Sequence, residues 1–288
     1  MKRVSIVVIN YNDKIRVQRA IDSALNQSYK NTEVIVVDDG SNEETRAMYK
    51  KYDDEIRLIQ LEREDNTART PSGARNAGFL ECSGKYVMFL DSDNYIHSDF
   101  VKECMKTGSD VAFVNWEIVG REPYKVEIEK VWNQKVGVMQ NYLQYTHLDH
   151  QCMLVKKELL GKLNPNGLPY DVRLPRSQDC DFIIGLMLLT EDWKHIPINL
   201  FTFEKHEVDQ MKQYASIHGK TLWTLKRGLN IQWLAGIISR DSMLMLSFYQ
   251  AINDFMNKEE WAEDYKKSEF KLYFEQFSSI LSGERKEK

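Results

Sequence analysis

Two carboxylates stand two residues apart in Asp91-Ser92-Asp93, directly after the apolar run from Tyr86 to Leu90. If the chain stays extended there, both side chains project to one side and could share one hard cation. Mg²⁺ and Mn²⁺ prefer oxygen ligands and commonly take one or two carboxylates together with substrate phosphates. Paired aspartates are also frequent in solvated turns, so the motif by itself is a weak indication of a metal site.

The apolar pattern indicates the elements that must position these carboxylates. Val4 to Ile9 is a continuous, largely β-branched run, which is typical of a strand in a parallel sheet covered on both faces. Helical spacing follows from Ile15 to Leu25, with Asn12 and Asp13 as capping candidates, and strand character returns at Val34 to Val37, so the chain begins with a βαβ unit. Further strands are predicted at Ile56 to Ile59, Tyr86 to Leu90, Val111 to Val114, His150 to Val155 and Ile196 to Phe203, and a helix at Ala74 to Leu80.

An acidic turn, Asp38-Asp39-Gly40, ends the second predicted strand. Asp38 can hold this turn by accepting hydrogen bonds from backbone N–H groups. Ser41, followed three residues later by Glu44, has the spacing of a capping box and predicts a helix directly after the turn. Because ligands of open α/β sheets lie beyond the carboxyl ends of the strands, the polar clusters after the first, second and fourth strands should converge.

Four motifs occur in order along the chain: Val4 to Asn12, Asp38 to Ser41, Ala74-Arg75-Asn76-Ala77-Gly78, and Phe89 to Asp93. Together they resemble glycosyltransferase family 2, closely over roughly the first two fifths of the chain and more loosely to about Met211. The resemblance implies an α/β GT-A fold with a Rossmann-like, mostly parallel central sheet flanked by helices. It also implies a nucleotide-sugar donor, Mn²⁺ or Mg²⁺ as cofactor, and inversion at the anomeric carbon.

The same resemblance assigns a nucleotide-binding set. Asp39 would accept a hydrogen bond from the base, which suits the ring N–H of uracil and could also suit guanine, so a UDP-sugar is favoured. Tyr11 would lie against the base or ribose, with ordinary packing as the alternative. Arg75 would bind near the base and diphosphate, with a surface ion pair as the alternative. Ile9 and Ser92 complete the set.

The resemblance places the metal on Asp93, with Asp91 nearby. His206 follows the last predicted strand and could complete the metal shell, which would favour manganese over magnesium. Simple exposure of this lone histidine is the alternative.

The proton chemistry is assigned to the segment Arg176 to Phe182, which is similar to the acidic motif of the family. Asp179 occupies the aligned position and is assigned as the general base that deprotonates the acceptor hydroxyl, with Asp181 as the alternative base. Capping of a helix that begins near Phe182 is the structural alternative for Asp179. Gln178 departs from the family pattern, which usually has Glu there.

Composition restricts the partners. The formal net charge of −4 argues against a nucleic-acid footprint, which would show as a basic surplus. The apolar run after Lys2 and Arg3 is too short for a signal-peptide core or a membrane span, so we expect a cytoplasmic protein, at most peripheral at the inner membrane face. The four cysteines form no Cys-x-x-Cys pair, which favours buried free thiols over a zinc or redox site.

We expect a catalytic domain over residues 1–213, with a nucleotide-sugar half at about 1–115 and an acceptor half at about 116–213. Residues 214–288 are expected to form a helical C-terminal extension. Docking on the catalytic domain or a homo-oligomer is favoured for this extension over peripheral membrane contact, because its acidic residues would repel an anionic bilayer. Its apolar stripe consists of Leu222, Leu225, Leu229, Trp233 and Ile237.

The resemblance therefore implies an inverting transferase that moves a sugar to a hydroxyl of a saccharide, lipid-linked or peptide acceptor. Surface polysaccharide, teichoic acid or glycolipid synthesis is the expected setting. A sugar nucleotidyltransferase is one alternative, but it would need a glycine-rich first turn to cradle a triphosphate, where this chain has Asn10 to Asp13. A catalytically silent nucleotide-binding scaffold is the other, and it would not require Asp91, Asp93 and Asp179.

Overall fold

A computed structural model describes residues 2–62, 71–120, 124–126, 148–172 and 178–205. Strands and helices alternate through the first part of the chain: β1 (Val4–Asn10), α1 (Arg16–Leu25), β2 (Thr32–Asp38), α2 (Glu43–Met48), β3 (Arg57–Gln60), α3 (Pro71–Leu80) and β4 (Tyr86–Asp91). They are followed by β5 (Tyr95–Ile96), α4 (Phe100–Thr107), β6 (Val111–Gly120), β7 (Tyr124–Val126), β8 (Met153–Lys156), α5 (Lys157–Leu160), α6 (Gln178–Leu189) and β9 (Trp193–Lys205). Within these described ranges, two 3₁₀ helices cover Tyr49–Glu55 and His150–Cys152.

The nine described strands form one sheet in the order β3-β2-β1-β4-β8-β6-β9-β5, with β7 paired to β6. The first four in this order run parallel, as predicted from their continuous apolar runs. Beyond β4 the sheet is mixed, because β8 is antiparallel to both β4 and β6, while β6 and β9 are parallel. The fold class is α/β, and the parallel half brings the carboxyl ends of β1, β2 and β4 to one edge.

The core lies on both faces of the parallel strands. Every residue of β1 is buried, and α1 covers the sheet with Val17, Ala20, Ile21 and Ala24. Asp13, one of the two capping candidates, accepts a hydrogen bond from the N–H of Arg16, the first residue of α1 (3.1 Å). Cys82, Cys104 and Cys152 are buried free thiols, as predicted, and burial raises the pKa of Cys82 to about 12.

Two sequence predictions of local structure are wrong. The strand expected from His150 to Val155 begins only at Met153, because residues 150–152 form a 3₁₀ turn in which the Asp149 side chain accepts from Gln151 N. The helix after the acidic turn is capped by Asn42, whose side chain accepts from Thr45 N, and not by Ser41. Ser41 Oγ accepts from Asn12 N instead, so it ties two loops together (2.8 Å).

No helix within the described ranges is long and apolar enough to cross a membrane. The proposed C-terminal extension, residues 214–288, and His206 lie outside the described residues. The division of the chain into a catalytic domain and a helical extension therefore stays a prediction.

Candidate active site

The polar clusters that follow β1, β2 and β4 meet at one edge of the sheet, as the sequence predicts. In the strand register Asn10 lies beside Asp38, and Ile9 lies beside Asp91. The backbone continues this contact, because Asp39 N donates to Asn10 O (2.8 Å). Backbone pairing alone therefore brings three of the four motifs to this edge.

The turn after β2 is held by Asp38, as predicted. Its fully buried carboxylate accepts hydrogen bonds from Ser41 N (3.0 Å) and the Tyr49 hydroxyl (3.1 Å). Gly40 has φ +78°, a left-handed conformation that glycine adopts without steric cost. Asp39 is thereby fixed at the end of β2 with its side chain mostly enclosed.

A buried ion pair joins the third and fourth motifs. Arg75 is 4% exposed, and its Nη2 lies 2.7 and 2.9 Å from the two carboxylate oxygens of Asp91. Burial opposes the charge on Arg75, but Asp91 beside it raises the pKa of the guanidinium overall. The pair is not the surface ion pair considered as an alternative, because its cation is buried. Removal of Asp91 would leave the buried charge of Arg75 uncompensated.

Close packing of α3 on the sheet places Arg75 at this depth. A Cβ on Gly78 would collide with Val7 Cγ1 on β1 and would reach Val37 Cγ2 on β2 at 3.0 Å. Glycine is therefore required where the helix crosses both strands, which explains the small residue three positions after the arginine.

The Asp91-Ser92-Asp93 turn lies near two other parts of the chain, α1 and the end of β9. Ser92 and Asp93 are partly exposed, and the backbone oxygen of Asp93 accepts from Arg19 Nη2 (3.5 Å). Arg19, on α1, also forms an ion pair with Glu204 near the end of β9. The end of the strand that precedes His206 is thus held beside the aspartate motif.

An aromatic cluster fixes α6 against the end of β4. Phe182 on α6 stacks on Tyr170 with ring centroids 4.9 Å apart, and Phe89 on β4 meets the Tyr170 ring edge-on at 5.1 Å. The Arg75 guanidinium lies over the same tyrosine ring, 5.2 Å from its centroid. The Asn76 side chain exchanges two hydrogen bonds with the Tyr170 backbone (2.8 and 3.0 Å), so α3 and the segment before α6 form one unit.

This packing brings Asp179 to the same edge. Helix α6 begins at Gln178, so Asp179 lies in its first turn and is not the cap of a helix that begins near Phe182. Asp181 is buried one residue before Phe182. Asp179 is partly exposed, as a side chain that meets substrate must be. Its charge acts on Asp149, as does that of Asp91, which shows that the two predicted clusters are neighbours.

Asp149 is a site residue that the sequence did not reveal. Its side chain is 26% exposed, and one oxygen accepts from Gln151 N (2.8 Å). Burial, followed by the negative charge of Asp179, raises its pKa to about 7. The only signal in the sequence is that Asp149 precedes Gln151, whose backbone N–H it caps, by two residues. This spacing is too common in loops to single out Asp149.

The remaining predicted nucleotide residues are also at or near the edge. Ile9 is buried as the next-to-last residue of β1, and Tyr11, one residue past the strand, is 48% exposed. Ordinary core packing therefore does not explain Tyr11. Among the described residues no group of three or more His, Cys, Asp or Glu side chains could hold a metal.

Comparison with known proteins identifies the family. The model of glycosyl transferase family 2 matches residues 5–163, more than half of the chain. The chain belongs to glycosyltransferase family 2. This family-2 chain is 33% identical over 223 residues to the poly(ribitol-phosphate) β-N-acetylglucosaminyltransferase TarP of Staphylococcus aureus, a match that covers 72% of the chain and 66% of TarP.

A second relative is the UDP-Glc:α-D-GlcNAc-diphosphoundecaprenol β-1,3-glucosyltransferase WfaP of Escherichia coli, 39% identical over 95 residues. That match covers 33% of the chain and 37% of WfaP. The family-2 chain therefore spans about two thirds or less of the length of these two relatives.

Solved structures confirm the fold. The chain superposes on Staphylococcus aureus TarS residues 1–349, solved in complex with UDP-GlcNAc, with a TM-score of 0.62 at 17% identity. The match covers 99% of this chain and 93% of that one. A mannosyltransferase of Pyrobaculum calidifontis, solved with GDP-Man and Mn²⁺, matches with a TM-score of 0.50 at 14% identity, covering 98% and 86%. The GT-A fold predicted for this family-2 protein is therefore correct.

Proposed function

We propose that the chain is an inverting glycosyltransferase that transfers a sugar from a UDP-sugar to an acceptor hydroxyl. The observation that carries this proposal is the convergence of Asp39, Arg75, Asp91 and Asp179 at one edge of the sheet. Such an edge offers separate places for a base, a diphosphate and an attacking hydroxyl.

The donor side of the proposal rests on Asp39 and Arg75. Asp39 is held at the end of β2 by the Asp38 turn, where its carboxylate would accept the ring N–H of uracil. TarS has been solved with UDP-GlcNAc, and TarP transfers N-acetylglucosamine, so UDP-GlcNAc is the first donor to test. Exposed Tyr11 would stack on the base or ribose, and Ile9 and Ser92 would complete the contact.

The donor set fits a divalent cation only in part. Asp91 has both oxygens engaged by Arg75 and Gln151, whereas Asp93 is partly exposed at the tip of the same turn. We propose that Asp93 holds Mn²⁺ or Mg²⁺ together with phosphate oxygens, with Asp91 as its support and His206 as a further ligand. When bound, the metal would offset the negative charge that develops on the departing diphosphate. The Pyrobaculum mannosyltransferase, which was solved with Mn²⁺, supports manganese as the first choice.

The proton chemistry is assigned to Asp179. A single in-line displacement needs a base on the face of the sugar opposite the diphosphate. The first turn of α6 carries Asp179, whose charge, like that of Asp91, acts on Asp149. Asp179 would orient the acceptor hydroxyl and take its proton, which inverts the anomeric centre without a covalent intermediate. Asp181 is buried, which favours Asp179 as the base.

The acceptor is proposed from the relatives. TarP acts on poly(ribitol phosphate) and WfaP on a diphosphoundecaprenol-linked sugar, so a polyol-phosphate polymer and a lipid-linked saccharide are the two classes to test. Both would be met in surface polymer or glycolipid synthesis, at or near the cytoplasmic face of a membrane. A peptide acceptor is the third class.

The test is transfer in vitro. The purified chain is incubated with UDP-GlcNAc or UDP-Glc, Mn²⁺ and either poly(ribitol phosphate) or a lipid-linked saccharide, and UDP release and the anomeric configuration of the product are measured. We expect a β-linked product from an α-linked donor. A retained α linkage would refute inversion. Pyrophosphate-dependent chemistry would favour a nucleotidyltransferase, and UDP binding without turnover would favour a silent scaffold.

A further inference from the structure

Gln151 contacts the Asp91-Ser92-Asp93 turn from the side of β8, the strand next to β4 in the sheet. It lies in the 3₁₀ turn before β8, is 4% exposed, and has no charge. Its Oε1 accepts from Asp91 N (2.9 Å) and from Asn94 Nδ2 (3.1 Å), and its Nε2 donates to Asp91 Oδ2 (3.0 Å). One amide therefore binds the first residue of the motif at two places and the residue after the motif at a third.

Sheet register explains this position. In the antiparallel pair of β4 and β8, Tyr86 lies opposite Lys156 and Val87 opposite Val155. Continuing this register along both strands places Asp91 opposite Gln151. The 3₁₀ turn ends β8 before that point, so a side chain satisfies the Asp91 N–H where a backbone carbonyl would otherwise do so.

The contact continues to β9. Asn94 is buried, donates to Gln151, and accepts from Glu204 N (3.3 Å), and its own N–H donates to Asp91 O (3.1 Å). Both ends of the four-residue turn are thus fixed. Ser92 and Asp93, the partly exposed residues between them, are presented in one backbone geometry.

We propose that Gln151 is a positioning residue for the donor site, acting through Asp91 and Asn94 to set where Asp93 meets the metal and the diphosphate. Its amide is suited to this because it accepts from the backbone N–H and donates to the carboxylate of the same residue. A hydrocarbon side chain would leave the Asp91 N–H and the Asn94 side-chain N–H without this partner, and Asp91 Oδ2 with Arg75 alone. A carboxylate would face Asp91 with a like charge. This inference rests on the proposed function.

The test measures nucleotide binding separately from activity. UDP is titrated calorimetrically into the full-length chain, with and without Mn²⁺, for the wild type, Gln151→Leu and Gln151→Glu. We expect Gln151→Leu to weaken Mn²⁺-dependent UDP binding about tenfold or more, because Asp93 is no longer held in place. Gln151→Glu keeps both accepting interactions and should show a smaller loss of at least about threefold.

A matched control is offered by Gln27. It is 1% exposed and also makes three side-chain hydrogen bonds, donating to Ser23 O and His97 O (both 2.9 Å) and accepting from Val101 N (3.0 Å). These bonds join the end of α1 to His97 and to the start of α4, and none of them involves residues 91–94. Gln27→Leu should lower the melting temperature comparably and leave UDP affinity within about twofold, since its groups do not reach Asp93.

The outcomes are distinct. If folded Gln151→Leu or Gln151→Glu binds UDP with Mn²⁺ as the wild type does, Gln151 is only structural and the inference is wrong. Equal losses of UDP affinity in the Gln27 and Gln151 variants would refute the inference as well. If Gln151→Leu does not fold, Gln151→Glu decides alone. A wild type that binds no UDP would refute the proposed donor and the inference together.

Discussion

The two sides of the candidate active site are built in different ways. On the strand-end side, which comprises Asp39, Asp91 and Asp93, parallel strands deliver the residues directly from their carboxyl ends. On the helix-end side, which comprises Asp149, Tyr170 and Asp179, a short turn, a loop and a helix start are held together by aromatic stacking and by Asn76. The first side depends on strand register, and the second depends on contacts between distant segments.

This difference separates two kinds of chemistry. The strand-end side is supported by buried, hydrogen-bonded groups, Arg75 beneath Asp91 and Asp38 beside Asp39, which suits the fixed binding of a nucleotide. The helix-end side contains partly exposed carboxylates whose charges act on one another, which suits proton transfer. Substitutions on the first side should therefore change binding and stability, and substitutions on the second should change the rate and its dependence on pH.

The largest effect is expected from the helix-end side. Asp179→Asn should lower kcat by about 10²- to 10⁴-fold, because general-base assistance is lost, while the Kd for UDP is unchanged. Steady-state transfer and UDP titration measure the two quantities. Asp181→Asn serves as the comparison: a rate that survives in Asp179→Asn and collapses in Asp181→Asn would assign the proton role to Asp181.

Asp93→Asn, on the strand-end side, should lower nucleotide binding as well as the rate of transfer. We expect transfer to fall by about 10²- to 10³-fold, because charge on the leaving diphosphate is no longer offset. Mn²⁺-dependent UDP binding should fall in parallel, which calorimetry would show. The exposed residue Asp54 provides a control, since Asp54→Asn makes the same chemical change away from the site. Unchanged UDP affinity in Asp93→Asn would contradict the metal assignment.

Gly78→Ala tests the packing beneath the Arg75–Asp91 pair. The added methyl group collides with Val7, so we expect a loss of roughly 1–3 kcal/mol in the free energy of unfolding. Thermal melts should show this as a decrease of several degrees. Gly161→Ala is the matched control, because its Cβ would meet no atom closer than 3.7 Å. If Gly78→Ala melts at the wild-type temperature, α3 can shift away from β1 without a loss of stability.

The smallest effect concerns Asp149. Burial, followed by the negative charges of Asp179 and Asp91, raises the pKa of Asp149 in the folded state to about 7, and Arg75 opposes the rise. The native state therefore keeps a proton that the unfolded chain loses above its usual pKa, so the contribution of this group to stability falls as pH rises through about 4 to 7. Between pH 6 and pH 8 the free energy of unfolding should therefore fall by about 1 kcal/mol more in the wild type than in Asp149→Asn.

Urea denaturation of Asp149→Asn and the wild type at pH 6, 7 and 8 would measure that decline. Glu191→Gln, which alters an exposed carboxyl, controls for the general effect of removing a negative charge. Parallel pH profiles for the wild type and Asp149→Asn would mean that the Asp149 carboxyl is ionised in the native state throughout this range.

The strand-end side could be predicted from sequence because each signal is local. The apolar runs predicted β1, β2 and β4 within one or two residues, and the Asp38 turn followed from an aspartate just before a glycine. The capping prediction named Ser41, but the adjacent Asn42 has a side chain that can also cap. Only the tertiary partner of Ser41, Asn12, distinguishes the two.

The helix-end side could be predicted only in part. Asp179 was predicted from its motif, whereas Asp149 and Gln151 were not, since their positions depend on β8 lying antiparallel beside β4. No local pattern in Met153 to Lys156 indicates its neighbour in the sheet. Tyr170 likewise has no sequence signal, because its partners lie on α3, β4 and α6.

The paired hydrogen bonds between Asn76 and Tyr170 also bear on the order of folding. They join residues 94 apart in the chain, so they close a long loop and cannot form until both segments exist. During synthesis the parallel strands can associate well before Tyr170 emerges, while Asn76 still lacks its partner. The nascent chain would thus form the strand-end side before it positions Asp179, the proposed general base. Catalytic competence would therefore come at the end of folding.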